Sequence, residues 1–319
     1  MDLSIFFAGT GGSQPTLRRG MPGAVIRRGS DRILIDCGEG TQRQLVRSVG
    51  LAELDEVFIT HLHADHWLGL PGLLKTFDLR GRETPLTVHG PRGLAELISD
   101  VTKHSGRVSY PLHVNEVQPG EVIERDGYEI AVVPVQHRGT CYAYVLYELE
   151  RPGVFDPAAA RARGVPEGPA WGRLQRGETV DGVSPADVMG PPRPGRKLTF
   201  SGDTRPCEAL EIAAHGSDVL VHEGTFGIED AERAHETGHS TGTQAAGLAR
   251  AAQVKLLALN HISIRYLPRV IRDEAREIFA NTVVPRDFDV IDVPLPERGE
   301  PELIRWEDQP AEASLGSAT

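Results

Sequence analysis

The segment Thr60-His61-Leu62-His63-Ala64-Asp65-His66 places three histidines and an aspartate within six residues. It follows directly on Val57–Thr60, a β-branched and aromatic run that reads as a strand. Side chains of this kind at this density do not pack as ordinary core, because several imidazoles would compete for solvation. The chain must therefore end a strand in a tight loop that holds metal. Such a loop can turn His61 and His63 to one side and Asp65 and His66 to another, which suits two adjacent cations better than one. Nitrogen and oxygen ligands without thiolate fit Zn2+, with Mn2+ as the other choice.

Two cations need more ligands, and other strand ends offer them. His137 ends the run Ile130–Gln136, Asp203 follows Leu198–Ser201, and His261 follows Leu256–Asn260. Each stands where a loop can converge on a common sheet edge. Further short apolar runs recur at Leu3–Phe7, Ala24–Arg27, Ile33–Ile35, Leu86–His89 and Val219–His222. Helical spacing appears in Pro91–His104, in Ser240–Ala252 behind a Ser/Thr N-cap, and in Arg269–Ala280, with Val270, Ile271, Ala275 and Ile278 as one face. Strands mixed with helices throughout predict an α/β or α+β fold.

The 319 residues allow one large domain or two small ones. No apolar run approaches the roughly 18 residues a membrane span needs. Met1–Gly12 reads as a first strand, not a signal peptide. Cys37, Cys141 and Cys207 are odd in number and widely spaced, which fits a reducing cytoplasm without a disulfide framework. His89, His104, His113, His215 and His235 have no evident partners and read as structural or surface residues; His222 is left open.

Residues 151–197 differ from the rest, with eight Gly and eight Pro. They carry eight Lys/Arg against five Asp/Glu, a net +3 in a chain of net charge −11. The overall charge argues against sequence-blind coating of nucleic acid. The segment is expected not to pack as regular core. It is either a flexible surface insertion or an arm that holds a charged partner. Residues 309–319 are expected to be a disordered tail.

Beyond the histidine cluster, Phe7-Ala8-Gly9-Thr10-Gly11-Gly12, Gly69-Leu70-Pro71-Gly72-Leu73-Leu74, His222-Glu223-Gly224-Thr225-Phe226, His239-Ser240-Thr241 and Asn260-His261-Ile262-Ser263 make the chain resemble the ribonuclease Z family of tRNA 3′ endonucleases, in the metallo-β-lactamase superfamily. The resemblance runs from about residue 3 to about residue 305. It implies a four-layer αβ/βα sandwich over residues 1–308, with 151–197 as a protruding tRNA-binding arm. It implies two Zn2+ per subunit. His61, His63 and His137 would hold one, Asp65, His66 and His261 the other, and Asp203 would bridge them. The implied activity is removal of 3′ trailers from precursor tRNA by hydroxide attack on phosphorus, leaving a 3′-hydroxyl on the tRNA and a 5′-phosphate on the trailer. Asp65 resembles the general base, and His239 the donor of a proton to the leaving ribose 3′-oxygen or a phosphate ligand, with Glu223 orienting it. Arg19 and Arg265 are candidates for substrate contact. The family is typically homodimeric, one subunit's arm clamping tRNA at the other's site. Many members carry Pro-x-Lys-x-Arg-Asn near the N-terminus, linked to sparing tRNAs that end in CCA. Here Pro15 and Arg19 match, but Leu17 and Gly20 replace the Lys and Asn. A small-molecule phosphodiesterase or arylsulfatase-like hydrolase of the superfamily, or an inactive tRNA-binding protein, are the alternative readings.

Overall fold

The computed structural model describes residues 2–51 and 54–308; the tail 309–319 lies outside them. Strands β1 (Leu3–Gly9), β2 (Gly23–Arg28), β3 (Asp31–Ile35), β4 (Glu56–Phe58), β5 (Leu86–Gly90) and β6 (Leu112–Glu116) build a first sheet. Strands β7 (Val122–Arg125), β8 (Tyr128–Pro134), β9 (Tyr142–Glu148), β10 (Lys197–Phe200), β11 (Val219–Glu223), β12 (Leu256–Asn260) and β13 (Thr282–Val283) build a second. β14 (Val290–Asp292) and β15 (Glu302–Ile304) return to the first. The orders are β15-β14-β1-β2-β3-β4-β5-β6 and β13-β12-β11-β10-β9-β8-β7.

Three apolar clusters separate four layers. Leu3, Ile5 and Phe7 meet Ile130, Tyr144 and Val221 between the sheets. The other face of the first sheet packs on Leu45, Leu73, Phe77 and Ile98 from helices Thr41–Arg47, Leu70–Leu79 and Leu94–Ser105. The outer face of the second packs on Leu210, Ala246, Leu248 and Ile271, again from helices. Strand β1 is buried along nearly its whole length because both its faces are covered. Helix Gly242–Ala251 starts where expected. Thr241 accepts from the Gln244 N–H, and the Gln244 side chain accepts from the Thr241 N–H, a reciprocal cap. Helix Pro268–Arg276 turns Ile271 and Ala275 inward but leaves Val270 exposed.

Strands β3–β6 run parallel to one another, as do β10–β13. Parallel strands gather the loops at their C-terminal ends along one edge, where α/β folds place their sites. The insertion leaves from the opposite edge. It departs from the C-terminal end of β9 and re-enters at the N-terminal end of β10. Two backbone hydrogen bonds of 2.8 Å between Arg151 and Arg193 close its root.

The insertion corrects the sequence expectation that it lacks a core. Short helices Pro157–Ala162 and Pro169–Gln175 enclose Ala160, Val165, Leu174, Val180, Val183 and Val188, with Phe155 and Trp171 packed against them at a ring separation of 5.2 Å. The residues that suggested irregularity are its punctuation. Pro157 and Pro169 open the helices, where a missing N–H costs nothing. Gly164 and Gly177 follow their C-terminal ends at φ 76° and 92°.

The positive charge is also placed differently. Residues 154–190 hold four arginines against five acidic residues, a net −1. Arg161, Arg163, Arg173 and Arg176 pair with Glu167, Asp187 and Glu178. The excess belongs to the root and the body. Arg151 and Arg193 share Glu297, and Arg196 is 2% exposed and bonded to Glu148. Among the described residues no helix is long and apolar enough to cross a membrane, and the three cysteines are free.

Candidate metal centre

The loop after β4 turns into the one-turn helix Ala64–Trp67, and this break separates its ligands. Three nitrogens converge on one side. His63 Nδ1 lies 3.0 Å from both His61 Nε2 and His137 Nε2. Asp203 completes this group, and Asp65, His66 and His261 form the neighbouring one. Asp203 Oδ2 stands between them, 3.3 Å from His66 Nε2, 3.4 Å from His261 Nε2 and 3.7 Å from His61 Nε2.

Outer partners aim these rings. His61 Nδ1 donates to the Thr60 hydroxyl, which donates to Asp36, at 3.0 Å each. His261 Nδ1 donates to the Thr225 hydroxyl at 2.8 Å, and that hydroxyl donates to Glu223 at 2.5 Å. His66 Nδ1 donates to Asp36 and His137 Nδ1 to the Gly238 carbonyl, at 2.8 and 2.7 Å. Each relay fixes the proton on Nδ1 and bares Nε2 toward the cluster, the arrangement that metal-ligating histidines require. His66 Nε2 is buried with no hydrogen-bond partner among the described residues. Three imidazole nitrogens facing one another cannot satisfy themselves with the protons available. A cation satisfies both, so the donor set fits metal.

Charge agrees with geometry. Burial, reinforced by the crowding of His66 beside it, holds the His61 imidazole well below its ordinary value and keeps it neutral. Burial would raise the Asp65 carboxyl, but its contact with His261 and the neighbouring His66 outweigh it and keep it ionised. Asp65 Oδ2 accepts from the Ser13 N–H at 2.9 Å and lies 3.3 Å from His261 Nε2. Burial would lower the His239 imidazole, but the Glu223 carboxylate 2.9 Å from Nδ1, aided by Asp203, pushes it up to about 9.

The glycine loop after β1 also serves the site. A Cβ at Gly12 would lie 2.4 Å from His261 Nδ1, so only glycine permits this approach. His261 and Asp36 are held at φ 55° and 58°, a costly conformation for non-glycine residues that recurs at functional sites.

All seven sequence-derived ligand candidates meet here, with His239 beside them. Arg19 turns inward instead, its guanidinium donating to Thr10 Oγ1 at 2.6 Å and the Pro285 carbonyl at 3.0 Å. Pro15, Thr16, Leu17 and Arg18 of the same loop are exposed. Arg265 is exposed, and its side chain has no hydrogen bond or ion pair among the described residues. His222 is buried, its Nδ1 donating to the Glu223 carbonyl, and lies outside the ligand groups. His89 stacks on Phe58 and is buried; His104, His113, His215 and His235 are exposed. Sequence reasoning missed Asp36, Thr60, Thr225 and Gly238. Asp36 had a signal, since it follows strand Ile33–Ile35 as Asp203 follows its own strand.

Residues 24–224 match the model of the metallo-β-lactamase superfamily. Ribonuclease Z of Myxococcus xanthus is 46% identical over 303 residues, covering 92% of this chain and 98% of that protein. Ribonuclease Z of Methanosarcina acetivorans is 42% identical over 92% of this chain and 98% of its own length. The crystal structure of human tRNase Z, short form, superposes with a TM-score of 0.68 at 25% identity, covering 92% of this chain and 99% of that one. A diphosphatase of the PhnP family shares the fold at 18% identity and a TM-score of 0.63. With both ligand groups, the histidine relays and near full-length matches in both directions, the chain belongs to the ribonuclease Z family of the metallo-β-lactamase superfamily.

Proposed function

We propose that this protein is a zinc-dependent endoribonuclease that removes 3′ trailers from precursor tRNA, with two Zn2+ per subunit. The observation that carries the reading is the pair of neighbouring ligand groups with Asp203 Oδ2 between them and His239 beside them, held by Glu223, in a chain of this family. His61, His63, His137 and Asp203 would hold one cation, and Asp65, His66 and His261, with Asp203 beside them, would hold the other. Bound there, the cations would acidify water and polarise the phosphoryl group. The chain's own groups do the rest. Asp65, ionised and fixed through Oδ2, orients the attacking water and accepts its proton. Water oxygen joins phosphorus, the P–O3′ bond breaks, and His239 Nε2 gives its proton to the departing 3′-oxygen. The tRNA keeps a 3′-hydroxyl and the trailer a 5′-phosphate. Glu223 holds the far nitrogen of His239 and keeps it charged.

The arm is the tRNA-holding exosite. It is rooted at the sheet edge opposite the metal loops, one length of the seven-residue strand β9 away, or roughly 23 Å. That separation favours a homodimer in which the arm serves the other subunit's centre. With net −1 on 154–190, the arm reads tRNA by shape and backbone contact, not by bulk charge. A precursor tRNA substrate and free cysteines support a cytoplasmic location.

The test is cleavage of precursor tRNA, with and without CCA, before and after chelation and metal restoration. Cleavage should depend on metal and disappear in Asp65→Ala. A metal-loaded protein that leaves the precursor intact but hydrolyses a small phosphate or sulfate ester would move the reading to a small-molecule hydrolase. Deleting 154–190 rejoins neighbours, since the Gly190 N–H donates to the Val154 carbonyl at 2.8 Å. That deletion should raise KM for precursor tRNA by about tenfold or more, as expected when a modest binding surface is removed. It should leave hydrolysis of bis(p-nitrophenyl) phosphate within about twofold. Equal loss of both activities would count against an exosite.

A further inference from the structure

A groove of about 1290 Å3 opens beside the metal centre, larger than the roughly 300–1,000 Å3 of ordinary small-ligand pockets. It lies next to the centre in the chain: Ile262 and Ser263, which line it, directly follow the ligand His261. Eight arginines line it against two carboxylates, Glu39 and Asp287, on a chain whose net charge is −11. Arg272, Arg286 and Arg305 have acidic partners in Asp273, Glu307 and Asp289. Arg18, Arg43, Arg47 and Arg269 have none among the described residues. Arg43 and Arg47 stand four apart on helix Thr41–Arg47 and so share a face.

The lining is not only cationic. Leu17 is fully exposed, and Ile264 and Leu267 are 52% and 58% exposed. Phe288 presents a ring with the Arg47 guanidinium 5.2 Å above it. A duplex keeps its bases stacked inside and offers such surfaces nothing. Cations interleaved with exposed apolar side chains suit unpaired strands, phosphates on arginine and unstacked bases against the apolar surface. The arm has no net positive charge to offer, whereas this groove offers cations to a polyanion next to the metal centre.

We propose that this groove is the track for the single-stranded 3′ trailer, binding the RNA beyond the cleaved bond. The inference rests on the endonuclease reading. It places Arg18, Arg43 and Arg269 as specificity-determining residues that favour precursors with long trailers. Arg19 only braces the groove wall from behind.

The experiment compares precursor tRNAs with a single-nucleotide trailer and with an unpaired trailer long enough to fill the groove. The wild-type protein is set beside Arg43→Glu/Arg269→Glu. In the variant, kcat/KM for the long-trailer precursor should fall about tenfold or more relative to the short one. The slope of log kcat/KM against log salt should flatten for the long trailer alone, by about 0.7 for each single-strand phosphate that no longer meets an arginine. Hydrolysis of bis(p-nitrophenyl) phosphate reports that the fold and centre survive. Metal-free wild-type protein should bind a fluorescent unpaired oligoribonucleotide more tightly than the variant does. An unchanged long-to-short ratio, or equal loss on both substrates, overturns the trailer track. So does a binding defect as large for duplex RNA, which would make the groove a site for the acceptor stem. If wild-type protein cleaves neither precursor, the endonuclease reading fails instead, and the two failures are distinguishable.

Discussion

Asp203→Ala should empty both cation positions at once. Its carboxylate oxygen lies within 3.3–3.7 Å of nitrogens from both ligand groups, and among the described residues no other carboxylate belongs to both groups around those nitrogens. Elemental analysis should show metal per chain collapsing. Cleavage of precursor tRNA and of bis(p-nitrophenyl) phosphate should be lost together. The loss should exceed the roughly 10–100-fold in affinity or activity typical of an outer partner. Asp36→Asn supplies that smaller comparison, since Asp36 touches His66 and Thr60 but no cation position. A variant of Asp203 that keeps both metals and its turnover would show that the two groups do not share a bridge.

His239→Ala should lower kcat on precursor tRNA by roughly 10²–10⁴-fold, the usual worth of a positioned acid. A ribose oxygen leaves badly without a proton, whereas p-nitrophenolate leaves without one. The same variant should therefore lose far less on the nitrophenyl ester and should retain its metals. Metal loss instead would assign His239 to the cations, since its ring also lies near Asp203 and His261. Glu223→Gln tests the pairing through pH. The donor form of His239 is populated below its raised value of about 9, so turnover declines as pH rises through that value. Removing the Glu223 charge lets burial dominate and moves the alkaline decline to lower pH. An unmoved decline would separate the two residues.

The ligands were legible in the sequence because each follows a strand, and strand ends are what a parallel sheet gathers along one edge. The central strands were legible for the same reason that they are buried: β12 shows as an uninterrupted apolar run. Edge strands such as β6 and β15 carry few buried residues and little pattern. A count of the insertion's glycines and prolines predicts irregular chain, whereas their positions give it a core. At helix starts and after helix ends they order a chain instead of loosening it. Its charge was misplaced because sequence arithmetic cannot separate a root from a module. Arg19 matched a motif yet folds inward, since motif position does not fix which way a side chain turns. The arginine groove has no sequence signal because its walls come from distant segments, near residues 18, 43, 269, 286 and 305.

The centre draws its proposed ligands from both sheets, and this sets a timetable for biosynthesis. Four of the seven arrive within six residues, whereas His261 lies 196 positions beyond Asp65. At about 5–20 residues per second, the ribosome needs roughly 10–40 s to close that gap. During that interval the nascent chain displays an unfinished, metal-hungry loop whose closing ligand does not yet exist.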